Sequence, residues 1–102
     1  MPEVTYQGAS VTTGHGCDAT TTIAAGSTDV LMNNGTQRVA RKGDALSPHT
    51  LPSGPQCIPH PGQVVNLGSA KVYVNGQPIA RKGDSCDLAG QVTGSNSKVV
   101  AG

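Results

Sequence analysis

The chain has 102 residues, of which 35% are hydrophobic and only 2% aromatic, so small aliphatic side chains must fill any interior. A formal net charge of +1, with 13% charged residues spread along the sequence, offers no basic face for nucleic acid and no acidic tail. The first five residues lack the basic and apolar regions of a signal peptide, and no apolar run reaches the ~20 residues that a membrane helix needs. We therefore expect a single domain over residues 1–102, made in the cytoplasm without a signal peptide.

Short β-hairpins are the predicted elements, because glycine or proline interrupts most of the chain and no window has the apolar periodicity of an amphipathic helix. The pair Asn75-Gly76 is typical of a tight type I′ turn, and Pro78, which has no N–H to donate, belongs on an edge strand or at the first, unpaired position of its strand. The sequence therefore predicts an all-β fold. In chain order, we expect a strand at residues 20–25, a hairpin at 30–40, a long proline-rich loop at 46–62, a hairpin at 71–80 and a terminal strand at 98–102.

One fragment recurs through the chain. Residues 26–44 and 68–84 share a Gly-Ser start and an Ala-Arg-Lys-Gly-Asp end. The two termini together complete a weaker third copy, with residues 94–99 as its start and residues 4–10 as its end. The turn glycines of the three copies are followed by His15, His49 and Cys86, at spacings of 7, 6 and 3 residues. A pseudo-threefold arrangement of the copies would aim these three side chains at one point.

A metal site is the function that this convergence predicts. All three histidines of the chain lie in glycine- or proline-rich loops, which favours ligation; they are His15, His49 and His60. Zinc suits imidazole plus thiolate ligands in a tetrahedron, and four such ligands leave no open position for catalysis. We therefore predict one structural zinc per chain, held by the three histidines and a cysteine. The repeat favours Cys86 as that cysteine, with Cys57 or Cys17 as alternatives.

The three cysteines leave a different arrangement open. A chain without a signal peptide normally folds in a reducing compartment, which favours thiolate ligands over a disulfide. A bridge between Cys17 and Cys57 is the alternative. It would suit a disulfide-stapled extracellular binding domain.

A small cysteine hydrolase is a further alternative, and it would need Cys57 or Cys86 beside a histidine such as His60 and a carboxylate. Asp44 and Asp84 are the carboxylates to consider, but an aspartate after a turn glycine is expected to bond its own backbone. The sequence contains no HExxH, no phosphate-binding glycine loop and no paired carboxylates. It therefore predicts a protein that is not an enzyme.

The stretch at residues 75–84 resembles the signature of the PAAR-repeat family, with Pro78-Ile79-Ala80-Arg81 in place of Pro-Ala-Ala-Arg. The first copy departs from it, since Arg38 stands where the motif has proline. The likeness extends over nearly the whole chain, including His15-Gly16. It implies a small cone of β-hairpins with a zinc near its vertex, held by three histidines and one cysteine. These ligands map onto His15, His49, His60 and Cys86.

Proteins of that family cap the trimeric β-helical spike of contractile injection machines, such as type VI secretion systems and phage tails. The resemblance therefore implies a structural spike tip that sharpens the spike for piercing an envelope. Its partners would be the trimeric spike protein, of the valine-glycine-repeat or phage-spike type, a separate effector where one is carried, and briefly the target membrane. Such a tip would be assembled at the end of the apparatus or virion and delivered outside the cell.

Overall fold

Two-stranded antiparallel ribbons make up the fold in the computed structural model, which describes residues 2–87 and 89–102. The described residues form no helix, and so contain none that is long and apolar enough to cross a bilayer. The all-β prediction is confirmed. The strands are β1 (Glu3–Val4), β2 (Ser10–Thr12), β3 (Thr20–Thr22), β4 (Leu31–Met32), β5 (Gln37–Arg38), β6 (Thr50–Ser53), β7 (Gln56–Pro59), β8 (Tyr73–Val74), β9 (Gln77–Pro78), β10 (Ser85–Cys86), β11 (Gly90–Gln91) and β12 (Asn96–Val100).

Three of these ribbons occupy the same place in the three sequence copies. β4 pairs with β5 and β8 with β9, as the two hairpin predictions require. Asn75 and Gly76 have φ angles of 54° and 78°, the two positive values of a type I′ turn. The third ribbon joins the chain ends, because β12 pairs with β1 through Glu3 and Val100. We call these three ribbons the base hairpins.

The proline-rich segment is more regular than the predicted loop. Within residues 46–62, β6 pairs with β7, and Pro59 lies opposite Thr50 while Pro52 lies opposite Cys57. The two prolines therefore fall on alternate cross-strand pairs, which are the pairs that exchange no backbone hydrogen bonds in an antiparallel ribbon. The missing N–H groups face outward, so proline is tolerated on both strands.

A ring of three backbone hydrogen bonds joins the three copies in the interior. Ala40 N donates to Thr5 O at 3.1 Å, Ala80 N donates to Ala40 O at 2.9 Å, and Thr5 N donates to Ala80 O at 3.2 Å. All three residues are completely buried, and they hold the same position in the three copies. Each copy therefore donates to one neighbour and accepts from the other, which gives the single chain a pseudo-threefold axis.

The turn glycines repeat the same pattern one layer further along each copy. Each of them donates its N–H to a buried aliphatic residue at 2.7 to 2.8 Å: Gly8 to Ile23 O, Gly43 to Val65 O and Gly83 to Val92 O. The pseudo-threefold relation thus extends through more than one layer of the structure.

The core consists of two apolar clusters, one toward the base hairpins and one toward the histidine-bearing loops. The body measures 43 × 23 × 23 Å along its principal axes, so it is elongated with two equal transverse dimensions. The base cluster contains Val4, Met32, Val39, Val74, Ile79 and Ala101. The loop cluster contains Ala9, Val11, Ile23, Ala40, Leu46, Val65, Ala80, Cys86 and Val92.

Candidate metal centre

Four side chains from four separate loops converge beyond the loop cluster. They are His15, His49, His60 and Asp87, and their ligand atoms all lie within 4.8 Å of one another. The three imidazole rings form a nearly equilateral triangle, with centroid separations of 5.1, 5.3 and 5.5 Å. This group could hold a metal ion, as the sequence predicted for its histidines.

The carboxylate of Asp87 lies among the three rings. Its Oδ2 atom is 2.5 Å from His49 Nε2 and 3.2 Å from His15 Nε2, and its Oδ1 atom is 3.3 Å from His60 Nδ1. His60 Nδ1 and His15 Nε2 are themselves 3.2 Å apart. The site is enclosed, since the Asp87 side chain has no exposed surface and those of the histidines are 2 to 12% exposed.

These separations fit a small tetrahedral cation. Bonds of about 2.0–2.1 Å from a central zinc place adjacent nitrogen or oxygen ligands about 3.3–3.4 Å apart. Three of these four separations are close to that length, at 3.2 to 3.3 Å, and only the 2.5 Å contact is shorter. A carboxylate can turn to open that contact while keeping an oxygen in the sphere. These four side chains could therefore hold a metal ion.

Backbone carbonyls orient two of the rings toward this point. His15 Nδ1 lies 3.0 Å from Gly16 O, and His49 Nδ1 lies 2.9 Å from Ser47 O. A carbonyl oxygen only accepts, so in each ring Nδ1 carries a hydrogen and Nε2 is the atom that faces the cluster. Such an outer partner is the usual way in which a protein fixes a metal-binding imidazole.

The loop that carries His15 is fixed from inside. It connects β2 to β3, and the buried Thr13 hydroxyl donates to Asp18 O at 2.8 Å. Asp18 in turn accepts from Thr50, from its N–H at 2.8 Å and its hydroxyl at 3.0 Å. These donors lower the pKa of Asp18, the backbone N–H most strongly. The contact ties the His15 loop to the start of β6.

A disulfide joins the same two regions. Cys17 and Cys57 are bonded, with Cα atoms 5.9 Å apart and a separation of 40 positions in sequence. The sequence favoured thiolates over a bridge, so this pairing corresponds to the alternative. The reason is spatial: the His15 loop packs across the β6–β7 ribbon, which brings the two cysteines together. Neither sulfur is then available to replace a histidine at the metal centre.

His49 and His60 are held by the two ends of one ribbon. His49 comes directly before β6 and His60 directly after β7, and His60 N donates to His49 O at 3.0 Å. The ladder thus sets both rings side by side, although 11 positions separate them in sequence. A cavity of about 240 Å³ borders both histidines, and Pro48, Pro59 and Pro61 form part of its wall.

Asp87 reaches the cluster from the short connection after β10. Its φ angle of 56° is left-handed, and its carbonyl accepts from Asn66 Nδ2 at 2.9 Å. The returning strand packs tightly, because a Cβ added to Gly90 would lie 1.8 Å from Thr12 O. Only glycine permits this approach, which brings the β10–β11 ribbon against β2 and so sets the position of Asp87.

Cys86 does not join the cluster, and Asp87 takes the place that the sequence assigned to it. Counted from the turn glycines, Cys86 occupies the position of Val11 and Leu46, and all three belong to the loop cluster of the core. Its Sγ donates to Thr12 O at 3.4 Å, and burial raises the pKa of the thiol to about 11. The apolar character of its two equivalents was the signal that could have assigned Cys86 to the core and Asp87 to the cluster.

Asp44 and Asp84 form hydrogen bonds within their own turns. Asp44 accepts from the N–H of Arg41 at 2.7 Å and from its guanidinium at 2.9 and 3.1 Å, and Asp84 repeats this with Arg81. Each aspartate therefore bonds the backbone of its own turn, at the arginine three residues earlier. Both cysteines considered for the hydrolase alternative have other partners in the structure. Cys57 is in the disulfide, and the Cys86 sulfur donates to Thr12 O.

Comparison with known proteins adds no assignment. No model of a known protein family matches the chain, and no curated protein is significantly similar to it. The resemblance to the PAAR-repeat family therefore stays a prediction from the motifs.

Proposed function

We propose that the protein is a structural spike tip that caps a trimeric β-helical spike of a contractile injection machine, with one zinc ion at its narrow end. The observation that carries this proposal is the hydrogen-bonded ring of Thr5, Ala40 and Ala80. A single chain with a pseudo-threefold axis can present three similar contacts to a trimer, whereas an asymmetric monomer would leave mismatched contacts.

The base hairpins supply a surface of the required symmetry. Leu31, Tyr73 and Val100 hold equivalent places on β4, β8 and β12, and they are 45, 57 and 48% exposed. The residues that directly follow them in sequence are buried in the base cluster; these are Met32, Val74 and Ala101. Three large apolar side chains exposed at threefold-related positions favour a threefold apolar partner. Docked on a spike, the base hairpins would also cover its open strand ends, which otherwise promote aggregation.

The metal centre would act as a mechanical pin. The base hairpins and the ring have an apolar core behind them, but the loops that carry His15, His49 and His60 have mainly the cluster, the disulfide and a few hydrogen bonds. A zinc ion bound by all four side chains would join these loops and contribute its binding free energy to folding. Imidazole and carboxylate ligands suit zinc among the divalent ions, and the enclosure of the site favours a structural role.

Docking is tested by mixing the purified protein with a candidate spike trimer and measuring complex formation by size-exclusion chromatography with light scattering. We expect one tip per trimer. Leu31→Asp, Tyr73→Asp and Val100→Asp should each weaken binding about tenfold or more, because each places a charge in the apolar contact. Ile58→Asp is the matched control, since Ile58 is 39% exposed but lies on β7, away from the base hairpins. Equal weakening by the control would count against docking through the base.

The metal role is tested by elemental analysis of the purified protein and of His49→Ala. We expect one zinc per chain in the wild type, and in the variant loss of zinc with a marked fall in melting temperature. His49 is the most enclosed of the three histidines, so no nearby water can easily replace it. Full zinc occupancy with unchanged stability in His49→Ala would contradict the proposed structural role of the metal centre.

The disulfide favours a second candidate function, that of an extracellular binding domain stapled by Cys17 and Cys57. Both candidate functions are compatible with a protein that works outside the cell, where a disulfide persists. Binding to a spike trimer separates them. A stapled domain that fails to bind any trimer, yet keeps its fold in the absence of metal, would support the second candidate.

A further inference from the structure

The bridge between Cys17 and Cys57 lies outside the enclosed metal centre. Both cysteines are exposed, whereas the side chains of the four proposed ligands are 0 to 12% exposed. Cys17 follows His15 by two residues, and Cys57 precedes His60 by three. A small thiol can therefore approach the bridge from solution, within a few residues of two ligands. Exposed disulfides are the ones that thiols reduce most readily.

The bridge supports one ligand more than the other three. The β6–β7 ladder sets the two histidines at its ends, and the packing of the β10–β11 ribbon sets Asp87. His15 lies on a loop that is tied to the β6–β7 ribbon by the bridge and by the hydrogen bonds between Asp18 and Thr50, which are exposed to water. Because exposed groups exchange such bonds with water, each contributes little net stability. The covalent bridge is therefore the stronger tie.

The backbone of the His15 loop has a conformation that the bridge helps to maintain. Cys17 has a φ angle of 64°, in the left-handed region that residues with a Cβ rarely adopt, and Gly14 has a φ angle of 78°. An unfavourable conformation of this kind persists where the surrounding structure imposes it. Opening the bridge would let Cys17 relax toward a more favourable conformation, and His15 would shift with it.

We propose that the Cys17–Cys57 disulfide is a redox-sensitive clasp on the metal centre. The bridged protein binds zinc tightly, and reduction by a thiol loosens the His15 loop and weakens zinc binding. This inference rests on the proposed metal centre and is independent of docking to a spike. A protein that moves from a reducing to an oxidising compartment, where disulfides persist, would thereby tighten its hold on the metal.

The chemical step is thiol–disulfide exchange with two equivalents of a low-molecular-weight thiol. The first thiolate attacks one sulfur of the bridge, which forms a mixed disulfide and releases the other cysteine as a thiolate. A second thiolate attacks the mixed disulfide and releases the second cysteine, and the two reductant molecules leave as one disulfide. The bridge thus gains two electrons, and the two protons given up by the reductant convert its cysteines to thiols.

The zinc affinity of the oxidised and reduced full chain tests the proposal. A chromophoric chelator competes for the metal, and a phosphine opens the bridge without adding a thiol that would itself bind zinc. We expect reduction to lower the zinc affinity about 10–100-fold, the range that loss of an outer support of a metal ligand typically costs. Equal affinities, or tighter binding by the reduced protein, would overturn the proposal.

A variant without the bridge separates the tie from the chemistry of its sulfur atoms. The double variant Cys17→Ser with Cys57→Ser should bind zinc as weakly as the reduced wild type and should not respond to the reductant. Ile58→Ser is the matched control, since Ile58 follows Cys57 on the exposed strand β7. It should keep the wild-type affinity and the response to reductant. A double variant that binds zinc as tightly as the oxidised wild type would refute the clasp.

The reverse effect of zinc on the bridge gives a second readout. Because coupling between two equilibria is reciprocal, saturating zinc should disfavour reduction of the bridge by the same factor. The fraction of bridged protein in a glutathione redox buffer, measured by mass spectrometry after alkylation, gives this factor. A protein that binds one zinc but shows no shift would refute the clasp and leave the metal centre standing. Failure of the oxidised protein to bind zinc would overturn both.

Discussion

His49 Nε2 lies 2.5 Å from Asp87 Oδ2, and the two side chains are 2% and 0% exposed. The Nδ1 atom of His49 faces a carbonyl and carries a hydrogen, so Nε2 is the ring atom that faces the buried carboxylate. A carboxylate oxygen and an imidazole nitrogen are both ligands of zinc, and an ion bound beside them would be held by both. We therefore propose Asp87 as the fourth ligand of the zinc.

Replacement of Asp87 should therefore weaken metal binding more than replacement of Cys86. We expect Asp87→Ala to lower zinc affinity by more than the roughly 10–100-fold that loss of an outer-shell partner typically costs. Cys86→Val should keep the metal, because valine matches Val11 at the equivalent core position. Competition with a chromophoric chelator measures both affinities. Loss of zinc in Cys86→Val, with retention in Asp87→Ala, would restore the cysteine as the ligand.

Removal of the disulfide should destabilise the metal-bearing end. Closing a loop of 40 residues stabilises a protein by about 4 kcal/mol in the chain-entropy model, with typical measured values of about 2–4 kcal/mol. For a chain of this size that corresponds to a fall in melting temperature of about 10–20 °C. The paired variant Cys17→Ser with Cys57→Ser, compared with the wild type by calorimetry at fixed zinc, checks the value.

A matched comparison separates the effect of losing the bridge on the melting temperature from the effect of the serine substitutions. Reduction of the wild-type protein should lower its melting temperature to nearly that of the double variant, and should leave the double variant itself unchanged. A wild-type protein that melts at the same temperature with and without reductant would show that the bridge contributes little.

Enlarging the alanines of the ring should disrupt the pseudo-threefold junction. Ala40 and Ala80 are completely buried and bonded to each other through Ala80 N and Ala40 O. We expect Ala40→Leu and Ala80→Leu each to lower the free energy of unfolding by about 1–3 kcal/mol, because extra methylenes must push a packed core apart. Ala70→Leu is the exposed control and should change little. Urea denaturation gives the free energy of unfolding of all three variants. When Ala40→Leu and Ala80→Leu are combined in one chain, their effects should be non-additive, because the two residues share the ring.

The repeat made much of this fold predictable from the sequence. Gly-Ser starts and Lys-Gly-Asp ends located the base hairpins, and the Asn75-Gly76 pair identified the turn type because only a few residues accept positive φ angles. The three histidines were recognised because they follow turn signals instead of lying on strand faces. The threefold arrangement then predicted the convergence of His15 and His49, together with Cys86, whereas His60 was assigned from its place in a proline-rich loop and from the family resemblance.

The fourth ligand and the disulfide could not be derived in the same way. Spacing from Gly83 directs attention to Cys86, but neighbouring residues of a strand point to opposite faces, so a shift of one residue exchanges core and cluster. The Cys17–Cys57 bridge depends on how the His15 loop crosses the β6–β7 ribbon, which is a tertiary relation without a local pattern. The ribbon itself was obscured by its prolines, whose alternate placement is compatible with two edge strands.

The contact between Asp18 and Thr50 should make stability depend on pH in the acid range. Hydrogen bonds from Thr50 lower the pKa of Asp18 in the folded protein below its ordinary value of 3.8. A carboxylate with a depressed folded pKa stabilises the protein above its unfolded pKa, and this stabilisation is lost as the pH falls through the folded pKa. The free energy of unfolding of the wild type relative to Asp18→Asn should therefore be constant from about pH 5 upward and shrink below about pH 4. Urea titrations of the metal-free proteins between pH 3 and 6 measure this difference, and Thr50→Val, which keeps the stronger backbone donor, should retain most of the pH dependence. A difference that stays constant across the whole range would show that Asp18 is not held by Thr50 in solution.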